Sequence, residues 1–427
     1  MSGPADGRSG IVFRQQAVRR LLVVLLLTMP LAAACDRIRP DHRVRSDDEL
    51  ALLVDSMLPS LGRLASLEPR EPVRMERRDR DGVRAYVEAR LDQELPAAEL
   101  AGLHATYAQL GLIPDTLDLR ALLLELYTEQ IVGYYDPEEA TLYVVEGASP
   151  EALQPVLAHE LVHALQDQYA PLDSLIAPER GGDRQAAAHA ALEGHATLVM
   201  YAYQAEILQG ARLDPTRLPN PADQIAAGYA QQSAQFPVLE RAPLIVRETM
   251  LFPYIGGAGF VYRLWQAEAL DRPAPLGRWL PQSTEQVLHP QDRFINTRDE
   301  PTELRFDSVP EGWTVIRENT LGELEVGLFL EEHLGAGGRE HARGWDGDRY
   351  RLLEDPEGAR VLVWFSIWDD GAAAEGAAAA LAGIDLPGRT VSVEPVAFGD
   401  RPGLRLVVAA EASTVPETLL APPRISP

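Results

Sequence analysis

The sequence predicts an α+β fold, predominantly helical, with a β-hairpin leading into a central helix and a small α+β unit closing the chain. Three observations predict it. Between residues 49 and 130 apolar residues recur at spacings of three and four, the period of an amphipathic helix. The pattern breaks at IVGYYDPEEATLYVVEG, where two short β-prone runs flank the turn-forming DPEEA. From about residue 301 strand-like runs alternate with helical ones.

Residues 1–35 stand apart from the fold. Arg14, Arg19 and Arg20 precede LLVVLLLTMPLAAA, a run too short to span a bilayer comfortably, which ends in small residues before Cys35. AAAC resembles a bacterial lipobox, with Ala32 where leucine is usual and Leu31 one place further back. The resemblance implies a lipoprotein signal peptide, lipidation of Cys35, and a membrane anchor facing the periplasm or cell exterior. Cys35 is the only cysteine, so no intramolecular disulfide supports the fold.

Residues 36–48 are polar and read as a tether. The helical region 49–130 follows, carrying ELALLVDSMLPSLGRLASL, RDGVRAYVEARL, AAELAGLHATYAQLGL and LRALLLELYTEQ. A core over 131–300 opens with the hairpin, at about 131 to 146. A helix from about Ser149, with Pro150 and Glu151 in its first turn, carries VLAHELVHALQDQY. After a loop over 170–183 comes a second helix, DRQAAAHAALEGHATLVMYAYQAEIL. Helix continues through GAGFVYRLWQAEAL, and STEQVLHP reads as a short helix with Ser283 or Thr284 as cap and Pro290 as stop. FPYIGGAGF lacks the preceding strand and following lysine of a phosphate loop, so Gly256, Gly257 and Gly259 read as close packing or a flexible wall. In the unit over 301–427, a helix (TLGELEVGLFLEEHL) leads to RYRLL, RVLVWFSIW, an Ala-rich helix near 371 to 382, TVSVEPVAF and LRLVVAA, with a loosely ordered tail.

Composition narrows the partners. The 427 residues are 46% hydrophobic and 24% charged, enough for a large core. Acidic residues outnumber basic ones 64 to 39, a net charge of -25 that repels phosphate backbones and excludes nucleic acid as a partner.

The chemistry concentrates in HELVH. Positions four apart in a helix lie one turn above each other, so His159 and His163 can direct two imidazole nitrogens at one ion. Glu160 falls about 100° round the helix, beside the pair, where a carboxylate can take a proton from water activated by that ion. Leu157, Leu161, Ala164 and Leu165 form an apolar stripe, leaving His159, His163 and Asp167 on the other side. Residues 151 to 170 contain no Lys or Arg, so a buried Glu160 and Asp167 need a cation from elsewhere. Asp167, one turn beyond His163, is placed to accept the second ring N–H of a liganding histidine.

A catalytic zinc site needs a third protein ligand. The second helix offers Glu193, His189 and His195, and Gly194 within its alanine run suggests a backbone passing close by, near enough for a glutamate to bridge to the first helix. HELVHALQD followed by ALEGHAT resembles the gluzincin zinc metallopeptidases. That resemblance implies a metallopeptidase core with Zn2+ held by His159, His163 and Glu193, Glu160 as general base, and Asp167 supporting a ligand. VGYYDPEEATLYVV, LAHELVHALQDQY, ALEGHATLVM, STEQVLHP and GWDGDRY together resemble an uncharacterised group of exported bacterial proteins classed as zinc metallopeptidases, over about residues 115 to 370. In peptidases of this type the hairpin strand nearest the cleft pairs with extended substrate. His289, Tyr201 and Tyr254 are candidates for stabilising the transition state, although the capped STEQVLHP helix also gives His289 a structural reading.

The expected function is therefore a zinc-dependent peptidase acting on polypeptide, anchored by lipid outside the cytoplasm. Two alternatives stand beside it: a lipid-anchored binding or scaffold protein with a structural metal, and a zinc amidase acting on cell-wall material.

Overall fold

The computed structural model describes residues 47–131, 133–146, 150–411 and 413–426. It is an α+β fold, predominantly helical, as the periodicities predict. Cys35 with its signal segment, most of the tether, and Ser149 at the expected start of the motif helix lie outside the described residues.

The first third is helical except for one strand. α1 (Asp47–Ala65) is followed by β1 (Arg74–Arg78), α2 (Arg80–Glu94), α3 (Ala97–Gln109) and α4 (Leu119–Gln130). β1 reads RMERR with no residue fully buried, so no apolar alternation marks it in the sequence. The expected hairpin forms from β2 (Gly133–Asp136) and β3 (Thr141–Val145), with Tyr134 opposite Tyr143 and Tyr135 opposite Leu142. β1 adds to β3 in parallel, giving the order β1-β3-β2 and leaving β2 as an edge. Both hairpin strands are buried throughout, which explains their continuous apolar runs.

Helices then dominate: α5 (Pro150–Asp167), α6 (Leu172–Leu175), α7 (Gly182–Gln209), α8 (Pro221–Gln232), α9 (Pro237–Arg241), α10 (Leu244–Ala267) and α11 (Thr284–Leu288). Ser283 caps α11, its side chain accepting from the Gln286 N–H. Pro290 does not stop the winding as its residue type suggests. Its φ of -59° is helical, and a wide π-type turn follows over Gln291–Ile295.

FPYIGGAGF lies inside α10, where its glycines serve close packing. A Cβ on Gly194 of α7 would sit 1.9 Å from the carbonyl carbon of Gly257, and one on Gly257 would sit 1.8 Å from Ala190 O. The close backbone inferred from Gly194 is real, but it belongs to α10 and not to the motif helix α5.

The C-terminal unit comprises β4 (Leu304–Arg305), β5 (Thr314–Asn319), α12 (Gly322–Leu334), β6 (Trp345–Glu354), β7 (Arg360–Trp368), α13 (Gly371–Ala382), β8 (Arg389–Phe398), β9 (Arg401–Ala410), α14 (Glu417–Leu420) and β10 (Arg424–Ile425). Five strands form an antiparallel sheet in the order β5-β6-β7-β9-β8. One face joins the main core through Leu352, Trp364 and Leu406, and the other carries Val363, Phe365 and Phe398. The tail is docked, contrary to its loose sequence pattern. Leu419 is buried on the outer face of the sheet, Leu420 O accepts from Arg405, and β10 pairs with β4. That outer face is too apolar to be left to water. Among the described residues no helix is long and apolar enough to cross a membrane.

Candidate metal centre

α5 is enclosed on every side: the hairpin and α1 pack against it, and α7 crosses its polar flank. Leu157, Leu161 and Leu165 are buried as the wheel predicts, and so are His159, Glu160, His163 and Gln166 on the flank that would be solvated on a surface helix. Facing them, α7 contributes Glu193, also fully buried. The structure thus brings together three of the residues proposed as ligands.

Their distances fit one cation. His159 Nε2 lies 3.0 Å from Glu193 Oε2 and 3.0 Å from His163 Nε2, and His163 Nε2 lies 3.4 Å from Glu193 Oε2. Ligands about 2.0–2.1 Å from a tetrahedral ion stand roughly 3.3 Å apart, so the triangle has the dimensions of one face of that tetrahedron. These three residues form a group able to hold a metal ion. Of the rivals for the third place, His189 approaches the other oxygen of Glu193 at 3.3 Å and its side chain is 31% exposed. His195 points away, Nε2 meeting Ala65 O at 3.1 Å.

The electrostatics point the same way. Burial would raise Glu193, but His163 and hydrogen bonds from its histidine neighbours hold its carboxylate well below the ordinary range. Burial would lower His163, but the Glu193 charge outweighs it and lifts the imidazole to about 9. Burial lowers His159 and, to about 3, His195. Glu160 is pushed up to about 8 by burial.

A second layer sets the orientation of the ligands. Gln166 Nε2 donates to Leu192 O and to His195 Nδ1, both at 3.0 Å, so its Oε1 is left to accept from His163 Nδ1 at 2.8 Å. This fixes the His163 tautomer and aims Nε2 at the centre. Sequence reasoning gave that role to Asp167, and the structure corrects it. Asp167 accepts from the Tyr135 hydroxyl at 3.0 Å and from the Leu172 N–H at 3.1 Å, and burial raises its pKa. Gln166 lies three residues after His163, within one turn of the same helix, and its amide fills the place expected of an acid.

Glu160 is held from the hairpin. The Tyr135 N–H of edge strand β2 donates to Glu160 Oε2 at 2.8 Å, while Oε1 is buried without a partner among the described residues. Tyr135 thus grips α5 twice, by backbone and by hydroxyl, and this amide is not free to pair with substrate. No sequence signal announced it.

The candidate stabilisers part company. The Tyr254 ring, on α10, lies 6.3 Å from that of His159 and is buried. Tyr201 is two turns beyond Glu193, about 12 Å along α7, which removes it from the centre. His289 Nε2 meets Glu323 Oε1 of α12 at 2.8 Å, the structural role its capped helix allows. Beside Tyr254 and His189 opens a pocket of about 210 Å³ walled by Leu103 of α3, Leu123 and Leu126 of α4, and Met250 of α10.

Comparison with known proteins adds little to this geometry. Residues 312–389 match a domain of unknown function (DUF8575), confined to the C-terminal unit. No curated protein matches the chain. A crystal structure from Chloroflexus aurantiacus, described provisionally as a hydrolase with a novel fold, is similar at 20% identity and a TM-score of 0.32, over 59% of this chain and 89% of that one.

Proposed function

We propose that the chain is a zinc-dependent peptidase whose centre is His159, His163 and Glu193, with Glu160 as general base. One observation carries the reading. A buried three-donor set of tetrahedral dimensions stands beside a carboxylate that is held at one oxygen and unpartnered at the other. A purely structural site has no use for Glu160. Two imidazoles and a carboxylate are the donors zinc takes in hydrolases.

Zinc bound there would supply Lewis acidity toward a carbonyl oxygen and would activate water near neutral pH. The chain does the rest. Gln166 keeps His163 Nε2 turned inward, and the Tyr135 amide keeps Glu160 Oε1 in place to accept a proton from water and deliver it to the leaving amine. Tyr254 is the one of the three proposed stabilisers placed near the centre. The leucine-walled pocket offers an apolar side chain of a peptide a place beside the reacting bond. Export and lipidation at Cys35 complete the reading and rest on the N-terminal sequence.

Metal analysis of purified protein with peptide-library cleavage, wild type against Glu160→Gln, tests the proposal. The variant is expected to retain its zinc and to lose a factor of about 10² to 10⁴ in hydrolysis. A variant that still cuts at the wild-type rate would sink the mechanism.

A further inference from the structure

A second cavity lies away from the candidate metal centre. A cleft of about 530 Å³ lies where the end of α2, the start of α7 and the β5–β6 edge of the C-terminal sheet meet. Its volume falls in the range of about 300–1,000 Å³ that small-ligand sites occupy. In a chain with a net charge of -25, five arginines line it beside seven acidic residues. Three are matched to glutamates: Arg184 to Glu303 at 2.7 Å, Arg317 to Glu99 at 2.6 Å and Arg349 to Glu318 at 3.0 Å. Arg305 is exposed at the rim.

Arg180 is different. It is half-buried, and among the described residues no carboxylate pairs with it. Its NH2 donates to Gln282 Oε1 at 3.2 Å, and its Nε, shielded from solvent, meets no acceptor. Burial, then the neighbouring Arg184, lowers its pKa, as expected of a cation short of an anion. A guanidinium fork with unused donors is shaped for a planar carboxylate.

The cleft and the candidate metal centre share helix α7. Gly182, Ala186, His189 and Glu193 follow one another along a single face of α7. A smaller cavity lined by Gly182, Ala186 and His189 adjoins the leucine-walled pocket, the two sharing His189, Thr249 and Pro253. From Gly182 to Glu193 the axis rises about 16 Å, the reach of roughly five extended residues.

We propose that the cleft is a carboxylate subsite anchored by Arg180, taking the free C-terminal carboxylate of the peptide cleaved at the metal centre. The assignment rests on the peptidase reading and adds a substrate class to it: short peptides, or chain ends, with the scissile bond a few residues from a free terminus.

The test separates the two claims. Acetyl-Ala-Ala as the free acid, the same compound as its amide, and inorganic phosphate are titrated calorimetrically into the zinc-loaded wild type, Arg180→Ala, Arg180→Lys and Glu160→Gln. The acid is expected to bind wild type and Glu160→Gln alike. Binding should weaken about tenfold or more for the amide and for Arg180→Ala, and less for Arg180→Lys, as loss of a charged hydrogen bond implies. The acid–amide comparison is made on the wild type, so it holds even if Arg180→Ala folds poorly. Equal binding of acid and amide, an Arg180→Ala that binds like wild type, or phosphate bound more tightly than the acid would overturn the subsite. Octapeptide pools made as acids and as amides then report on hydrolysis. If the acid binds as expected but no pool is cut, the peptidase reading fails and the carboxylate site stands. If both pools are cut with equal KM and Arg180→Ala changes neither, the peptidase stands and the subsite is wrong.

Discussion

Asp348 in the C-terminal sheet and Glu193 in the candidate metal centre are both sealed from water, yet their surroundings treat them in opposite ways. Asp348 receives the Leu321 and Gly322 N–H groups and the indole N–H of Trp364. Its donors come from loop, helix and strand, so the carboxylate ties β6 to the start of α12. Glu193 meets His159 and His163 through one oxygen, and its other oxygen lies 3.3 Å from His189 Nε2 without a hydrogen bond among the described residues. A buried acid given its donors is part of the architecture; one left short, among groups that can also ligate, is held ready for something the chain does not itself provide.

Substitution should separate the two regions sharply. Glu193→Ala is expected to remove bound zinc and to lower hydrolysis by a factor of about 10³ or more while the chain stays folded, read by metal content and turnover. Asp348→Ala should do the reverse. It strands three donors, lowers unfolding stability by about 3 kcal/mol in denaturant titration, and leaves metal affinity within about twofold. If Asp348→Ala loses metal first, the division between the two regions is wrong.

A smaller effect is expected at Gln166→Leu, which frees His163 Nδ1 without touching a ligand. Zinc affinity should fall by about 10 to 100-fold in a competition titration against a chelator, with far-ultraviolet dichroism unchanged. Asp167→Asn should leave zinc affinity alone, because its partners are Tyr135 and Leu172. Equal losses at the two positions would restore the role sequence reasoning gave to Asp167.

A pH dependence of stability is also expected, set around α7 and α12. Burial raises Asp183 to about 8, Glu325 to about 7 and Asp348 to about 6. An acid whose folded-state pKa lies above its unfolded value of about 4 keeps its proton in the folded chain after the unfolded chain has lost it. The stability these groups contribute is therefore complete near pH 4 and is lost as the pH rises toward about 8. The melting temperature should fall between pH 5.5 and 8.5, and Asp183→Asn should flatten the slope. An unchanged slope in that variant would remove Asp183 from the account.

Much of this was legible in the sequence, because it depends on spacing along one helix or strand. His159, Glu160 and His163 follow from helical geometry, and the hairpin from two β-prone runs about a turn. The strands β6, β7, β8 and β9 follow from their apolar content. What could not be read depends on pairing across the chain. β1 has no apolar alternation and exists because β3 offers it an edge. Tyr135 reaches Glu160 only because the hairpin lies against α5. The tail looked loose because one buried leucine and a two-residue strand leave no periodic trace. Asp167 and Gln166 are adjacent in sequence, and charge alone was a poor guide to which of them faces His163.

The crossing of α7 and α10 has a further consequence. Gly194 and Gly257 meet backbone to backbone, with no rotamer on either side able to absorb a change. Alanine, accepted at many neighbouring positions of α7, is shut out at both. The candidate ligand Glu193 and the aromatic wall at Tyr254 are therefore carried by helices whose spacing is set at a contact of peptide groups. Sequence drift can remodel the leucine pocket around that fulcrum without moving Glu193 relative to its wall.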